Sequence, residues 1–179
     1  MNLKRLVSTC ALLLFSYAAT GLASTITYTA TLTGSGENPA NASTATGFAT
    51  YSLTGDILTL NLTFSGLSAP ATGAHIHCCV GLGANAPIFV PFAAFPNTTS
   101  GTYTNTFNLS TFAFTGGGTE AALIAALNTG TAYTNIHDSV FPGGEIRGQI
   151  TAVPEPGTLM LLGTGVAGLA GAMRRRVQL

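Results

Sequence analysis

The three histidines of this 179-residue chain are the side chains most able to do chemistry. His75 and His77 are separated by Ile76, and His137 follows Asn135 by two positions. On a β-strand, residues two apart project to the same face, so the three imidazoles can converge if their strands are neighbours. Three imidazoles are a sufficient ligand set for zinc or copper. The sequence therefore predicts a candidate metal site at these histidines.

Two carboxylates close to these histidines in the sequence can complete such a site. Asp138 follows His137 directly, and Glu145 lies a short turn further on. Either can supply a fourth ligand or accept a hydrogen bond from a ligand. In the alternative interpretation, the histidines bind no metal and hydrogen-bond loops, fixing the turn at Pro142-Gly143-Gly144.

Cys78 and Cys79 are adjacent and follow His77 directly. A disulfide between neighbours closes a strained ring and would be labile in an oxidising compartment. Intermolecular disulfides and metal ligation beside His77 are the alternatives. We expect a vicinal disulfide or a reactive pair rather than a structural staple.

Enzymatic chemistry is not indicated anywhere in the chain, so we predict no catalytic residues and no enzyme. The sequence has no Gly-x-Ser-x-Gly nucleophile motif and no carboxylate pair of the glycosidase type. Glu145 and Arg147 are two apart, and we expect them to share a face and pair, as a recognition pair or an ordinary ion pair.

The charge of the central segment excludes one class of partner. Arg147 is its only Lys or Arg, against five Asp and Glu residues, which gives a net charge of about −4. A segment with one such base cannot neutralise many phosphates, so nucleic-acid binding is excluded.

Alternation with period two dominates the central segment and indicates β-strands. It is clearest at 25–32, 48–53 and 57–64, with a hairpin turn at Thr54-Gly55-Asp56. Five further strands are predicted at Ala74–Cys78, Ile88–Phe92, Gly101–Leu109, Ala132–His137 and Glu145–Thr151. One helix is expected between a Thr119 cap and Gly130. Residues 24–152 are thus predicted to form an all-β domain, an antiparallel β-sandwich with one short connecting helix.

The N-terminus has the pattern of a signal peptide. Lys4 and Arg5 precede an apolar run from Leu6 to Ala19, and Gly21-Leu22-Ala23 is a small-x-small cleavage site. We therefore expect residues 1–23 to be removed by signal peptidase; the alternative is an uncleaved membrane helix. Cys10 lies too early in the apolar run to be a lipoprotein cysteine.

The C-terminus, 153–179, combines three features in a fixed order. Val153-Pro154-Glu155-Pro156 is followed by an uncharged run from Gly157 to Met173, and then by Arg174-Arg175-Arg176. Such a run can cross a membrane as a helix, and the arginines would stay on the cytoplasmic side. The sequence predicts a transmembrane helix here, and a plain tail anchor is the alternative.

This C-terminal order resembles the PEP-CTERM sorting signal of bacterial envelope proteins. The resemblance implies export, transient anchoring in the inner membrane and processing by an exosortase-type enzyme. It also implies a location in the cell envelope or outside the cell, and an association with biofilm, exopolysaccharide or a matrix protein.

The central segment resembles the CHRD domain. The segments that carry the resemblance are Ala30–Pro39, Leu60–Leu67, Gly73–His77, Asn135–His137 and Pro142–Ile150. Its most specific parts are His-Ile-His and Pro-Gly-Gly-Glu-Ile-Arg-Gly-Gln, which contains Glu145 and Arg147. Cys78 and Cys79 depart from the family, which usually has a small residue after His-Ile-His. The resemblance implies an immunoglobulin-like or related sandwich and a structural or binding role, without an activity.

Overall fold

A computed structural model describes residues 24–154, 163–169 and 173–174 of the chain. Within residues 24–154 the protein is built from antiparallel β-strands, a 3-10 helix at Gly34–Gly36 and one α-helix of ten residues. The elements are β1 Thr25–Thr33, β2 Thr46–Thr54, β3 Ile57–Ser65, β4 Ala71–His77, β5 Ile88–Pro91, β6 Gly101–Asn108, α1 Glu120–Thr129, β7 Tyr133–Asp138, β8 Ile146–Gln149 and β9 Thr151–Ala152.

The strands form one hydrogen-bonded sheet in the order β5-β4-β7-β8-β1-β2-β3-β6, with β9 also paired to β1. The predicted antiparallel β architecture is confirmed, but the strands do not separate into the two sheets of a sandwich. The two halves are joined where β8 meets β1, at the single pair Thr33–Arg147. Because β8 pairs with both β7 and β1, the backbone ladder continues around the corner and the sheet curls.

The curled sheet encloses one hydrophobic core to which both halves contribute. Leu58, Leu60 and Leu62 of β3 are fully buried there, as are Ile76 of β4 and Ile136 of β7. Across this core the Tyr51 hydroxyl of β2 hydrogen-bonds the Thr134 hydroxyl of β7. Inward residues of both halves therefore pack on each other, as they would in a sandwich, although the sheet is continuous.

Helix α1 begins and ends where its sequence predicts. The Thr119 side chain accepts a hydrogen bond from the Ala122 N–H, and Gly130 ends the helix with φ of 69°. Leu123 and Leu127 are fully buried in the core. The hairpin between β2 and β3 is also confirmed, because Gly55 has φ of 56°, a conformation that suits glycine in a two-residue turn.

Both predicted targeting segments fall largely beyond the described residues. The signal peptide, 1–23, lies wholly outside them, and so does most of 155–179. Residues 163–169 are helical. In the described part of the chain, no helix is both long enough and apolar enough for a membrane crossing, and about half of the predicted span, 157–173, lies outside that part.

Candidate metal centre

Strands β4 and β7 are neighbours, and their pairing brings the three histidines together. The register places His75 opposite Asn135, His77 opposite Tyr133, and His137 opposite Gly73. These residues share the face of the sheet that points away from the core, while the intervening residues, such as Ile76 and Ile136, point into the core. Period-two alternation in two adjacent strands therefore produces the cluster.

The three imidazoles are close enough to share one metal ion. Their candidate ligand atoms all lie within 4.8 Å of one another. The ring centroids are 5.0 Å apart for His75 and His137, 5.6 Å for His75 and His77, and 6.2 Å for His77 and His137. His77 is buried and the other two rings are partly buried. Small inward movements would give the nitrogen–metal distances of about 2.0–2.1 Å that zinc requires.

Backbone carbonyls hold two of the rings by the nitrogen that faces away from the cluster. His77 Nδ1 lies 2.8 Å from the Ala86 carbonyl oxygen, and His137 Nδ1 lies 3.0 Å from the Pro142 carbonyl oxygen. A carbonyl oxygen can only accept, so each Nδ1 carries the proton and donates. This leaves the His77 Nε2 with a lone pair, which is the arrangement found at metal-binding histidines, whereas the His137 Nε2 contacts the Asn135 Oδ1 and must release that contact to bind a metal.

Two ring nitrogens in the cluster have no hydrogen-bond partner among the described residues. They are His75 Nδ1 and His77 Nε2, and both are buried. The remaining contact within the cluster joins His137 Nε2 and Asn135 Oδ1 at 3.0 Å. A buried polar nitrogen without a partner is costly, so each of these atoms is available to a water molecule or another bound ligand.

Burial keeps the cluster neutral. It lowers the pKa of His75 to about 4, helped by the charges of His137 and His77. Burial also lowers the pKa of His77 and of His137, although the Ala86 and Pro142 carbonyls oppose it. At neutral pH the imidazoles are therefore uncharged, the form that binds a metal.

A stack of three side chains supports His77. The Tyr133 ring lies parallel to His77 with centroids 4.8 Å apart, and the Arg147 guanidinium carbon lies 3.4 Å from the Tyr133 centroid. Arg147 also donates to the Ala84 carbonyl and the Asn85 side chain, and the Ala86 N–H donates to the Tyr133 hydroxyl. The loop that carries the Ala86 carbonyl is thus fixed over the sheet.

Neither predicted carboxylate reaches the cluster. The Asp138 carboxylate accepts hydrogen bonds from the N–H groups of Ala69, Val140 and Phe141, so it holds the turn after β7. The Glu145 carboxylate accepts from Ser43 and Ser68. The predictions of a fourth ligand or a second-sphere acceptor at Asp138 or Glu145 were therefore wrong.

The expected pairing of Glu145 with Arg147 was also wrong. Glu145 precedes β8, which begins at Ile146, and Gly144 before it has φ of 129°. Strand alternation therefore does not apply to Glu145, and its carboxylate points to the serines while Arg147 points to Tyr133.

Glu37 is a buried carboxyl group that the sequence analysis did not single out. It is 8% exposed, and burial raises its pKa to about 7 although Arg147 and Asn135 lower it. It lines a cavity of about 390 Å³ beside the cluster, together with Asn85 and Pro142. The only feature of the sequence that pointed to Glu37 was its position in Ala30–Pro39, one of the segments that carry the family resemblance.

Cys78 and Cys79 are joined to each other by a disulfide bond. Cys78 is fully buried in the core, on the opposite face from His77, and Cys79 is exposed. Both sulfurs lie against the Ala122 carbonyl of α1, at 3.8 and 3.5 Å. In this paired state they are not ligands beside His77.

Comparison with protein-family models identifies the central domain. The model of the CHRD domain matches residues 28–150. This range includes most of β1 and all of β2 to β8, and it excludes β9. The chain belongs to the CHRD family. In this CHRD protein the matched segment ends just before β9, and all three histidines lie within it.

A second family model matches the end of the CHRD protein. The PEP-CTERM protein-sorting motif covers residues 152–176. This motif implies export to the cell envelope or the extracellular space and processing by an exosortase-type system. Neither the search of curated proteins nor the search of solved structures finds a match.

Proposed function

We propose that this CHRD protein is an exported, non-enzymatic binding module that holds copper or zinc through His75, His77 and His137. The observation that carries the proposal is the convergence of three ligand atoms within 4.8 Å on one sheet face. Two unpartnered buried nitrogens and two rings oriented by carbonyls support it.

The chemistry of the donors favours a transition metal. The cluster offers neutral imidazole nitrogens, and the two carboxylates that the sequence offered as further ligands, Asp138 and Glu145, are engaged elsewhere. Calcium and magnesium prefer oxygen ligands, whereas imidazole suits zinc and copper. Three protein ligands leave a further coordination position for water or a partner's side chain.

Metal binding is tested on the purified chain without a polyhistidine tag. After removal of metal with a chelator and dialysis against zinc or copper(II), elemental analysis should find about one ion per chain. His75→Ala, His77→Ala and His137→Ala should each weaken binding in calorimetry by at least about 100-fold, since even outer-sphere changes cost about 10–100-fold.

The matched control is Asp56→Asn, in the exposed hairpin turn far from the histidines along the sheet. It should bind metal like the wild type, and circular dichroism should show that all variants remain folded. Absence of stoichiometric metal in the wild type, or equal affinity in all four variants, would refute the proposal.

The second part of the proposal concerns where the domain acts. We infer that signal peptidase removes residues 1–23, that the C-terminal segment anchors the chain transiently in the inner membrane, and that an exosortase-type enzyme then processes it. The mature domain would serve at the cell surface or in the matrix, in contact with exopolysaccharide or a matrix protein. The PEP-CTERM match supports this route.

A further inference from the structure

The outer face of strands β1, β2, β3 and β6 consists of small polar side chains except at Phe48 and Ile57. The register aligns rows of four residues across these strands, such as Thr29, Thr50, Asn61 and Thr104. All outward positions of β1 are threonine. The other outward residues are Thr46, Phe48, Ser52, Thr54, Ile57, Thr59, Thr63, Ser65, Thr102, Thr106 and Asn108.

This face carries no charge, which is unusual for an exposed sheet. None of its outward residues is charged, in four strands that the structure describes completely. Soluble domains have about 25% charged residues, this chain has 7%, and exposed sheet faces commonly carry cross-strand ion pairs. The polar groups of this face are therefore hydroxyls and amides alone.

An exposed aromatic ring lies within the array. Phe48 is 47% exposed, and it lines a cleft of about 310 Å³ with Thr46, Thr63 and Ser65. Gly47 and Phe64 complete the lining. An aromatic ring bordered by hydroxyl groups offers a stacking surface with hydrogen-bonding groups at its edge, the combination found in sites for small polar ligands.

We propose that the Phe48 cleft and the surrounding hydroxyl array bind a strand of neutral polysaccharide. One sugar ring would stack on Phe48, and neighbouring residues of the polymer would hydrogen-bond the threonine and asparagine rows. Within a row, side chains on neighbouring strands lie about 4.8 Å apart, and successive rows lie about 6.8 Å apart along the strands. This regular spacing presents repeated hydrogen-bonding groups to a repeating polymer. The inference deepens the proposed role at the cell surface, and it is independent of the metal site.

The absence of charge on the face favours a neutral polysaccharide over other ligands. Anionic polymers such as nucleic acids or uronic-acid polysaccharides would find no cation on these strands to offset their desolvation. A protein partner that docks through apolar contacts would meet only two exposed large apolar residues on the face, Phe48 and Ile57. A neutral, hydroxyl-rich polymer matches a surface of this composition.

Sedimentation with insoluble polysaccharides tests the proposal on the full-length chain in detergent. Cellulose, amylose and agarose serve as neutral probes, and an alginate gel serves as the anionic probe. We expect retention on at least one neutral polymer and none on alginate. Phe48→Ala and Thr63→Val should weaken that retention at least roughly tenfold, since both remove a direct contact.

Ile57→Ala is the matched control, because Ile57 is also exposed and apolar on the same face but lies at the other end of β3. It should retain wild-type binding, and so should His75→Ala, which separates this result from metal binding. Thermal melts should show that the variants are folded. The proposal is overturned if no neutral polymer retains the protein, if alginate retains it equally, or if Phe48→Ala binds like the wild type.

Discussion

At the scale of single residues, the candidate centre depends on which groups are buried and what they face. His77 and His137 donate through Nδ1 to backbone carbonyls, so their orientation does not depend on any titratable partner. Glu37 is different, because burial near Asn135 and Arg147 leaves its carboxyl group with a pKa of about 7. Its ionisation should therefore be visible in the stability of the domain.

Glu37→Gln should change how stability depends on pH. Between pH 4.5 and 7 the native carboxyl group holds a proton that the unfolded chain has released. This term therefore lowers the free energy of unfolding of the wild type as the pH rises through this window. The glutamine side chain does not titrate, so the free energy of unfolding of the variant should increase relative to that of the wild type from pH 4.5 to 7. Urea denaturation of metal-free protein across this range measures the difference.

The titration of His75 is common to both chains, so the comparison isolates Glu37. Parallel pH profiles for the wild type and Glu37→Gln would contradict the raised pKa of this carboxyl group.

At the scale of elements, α1 covers one side of the core through Leu123 and Leu127. Its first turn depends on the Thr119 side chain, which accepts the Ala122 N–H at 3.2 Å. The disulfide of Cys78 and Cys79 rests against the same turn through the Ala122 carbonyl. The start of the helix is therefore stabilised both by its own cap and by a contact with a distant segment.

Thr119→Ala should lower the free energy of unfolding by about 1 kcal/mol, because an amide of the first turn loses its acceptor. Thr119→Ser keeps the hydroxyl and should remain within a few tenths of the wild type. Chemical denaturation monitored by circular dichroism compares the three chains. Equal losses for alanine and serine would show that the methyl group, rather than the cap, stabilises the helix.

At the scale of the whole molecule, the folded domain ends where the sorting motif begins. Strand β9 pairs with β1, and the Val153 N–H donates to the Thr27 carbonyl at 2.8 Å. Pro154 follows directly. Removal of the segment after the Pro-Glu-Pro motif would therefore leave every hydrogen bond of the described sheet in place.

We predict that the mature extracellular form lacks everything after roughly Pro156. Mass spectrometry of the protein released from its host should find a chain beginning near Ser24 and ending near Pro156. A Glu155→Ala, Pro156→Ala double variant should accumulate as the unprocessed form in the membrane fraction. An extracellular protein with residues Arg174–Leu179 intact would contradict the prediction.

The sequence by itself determined the strands, the capped helix and the face on which each histidine lies. These features depend on interactions within a few residues, such as period-two alternation and the Thr119 cap. It also determined the family, through several short specific segments, and the sorting motif, whose residues are contiguous.

Only the tertiary structure decided which strands are neighbours, because pairing between distant segments has no local signature. The position of β4 beside β7 turned three histidines into one cluster, and the pairing of β8 with β1 replaced two sheets by a curled one. The turn before β8 directed Glu145 to serine partners, and Asp138, the last residue of β7, accepts hydrogen bonds from the turn that follows it. Alternation could not predict the direction of Glu145, since it holds only where the backbone is extended, whereas it does place Asp138 on the face of β7 opposite His137.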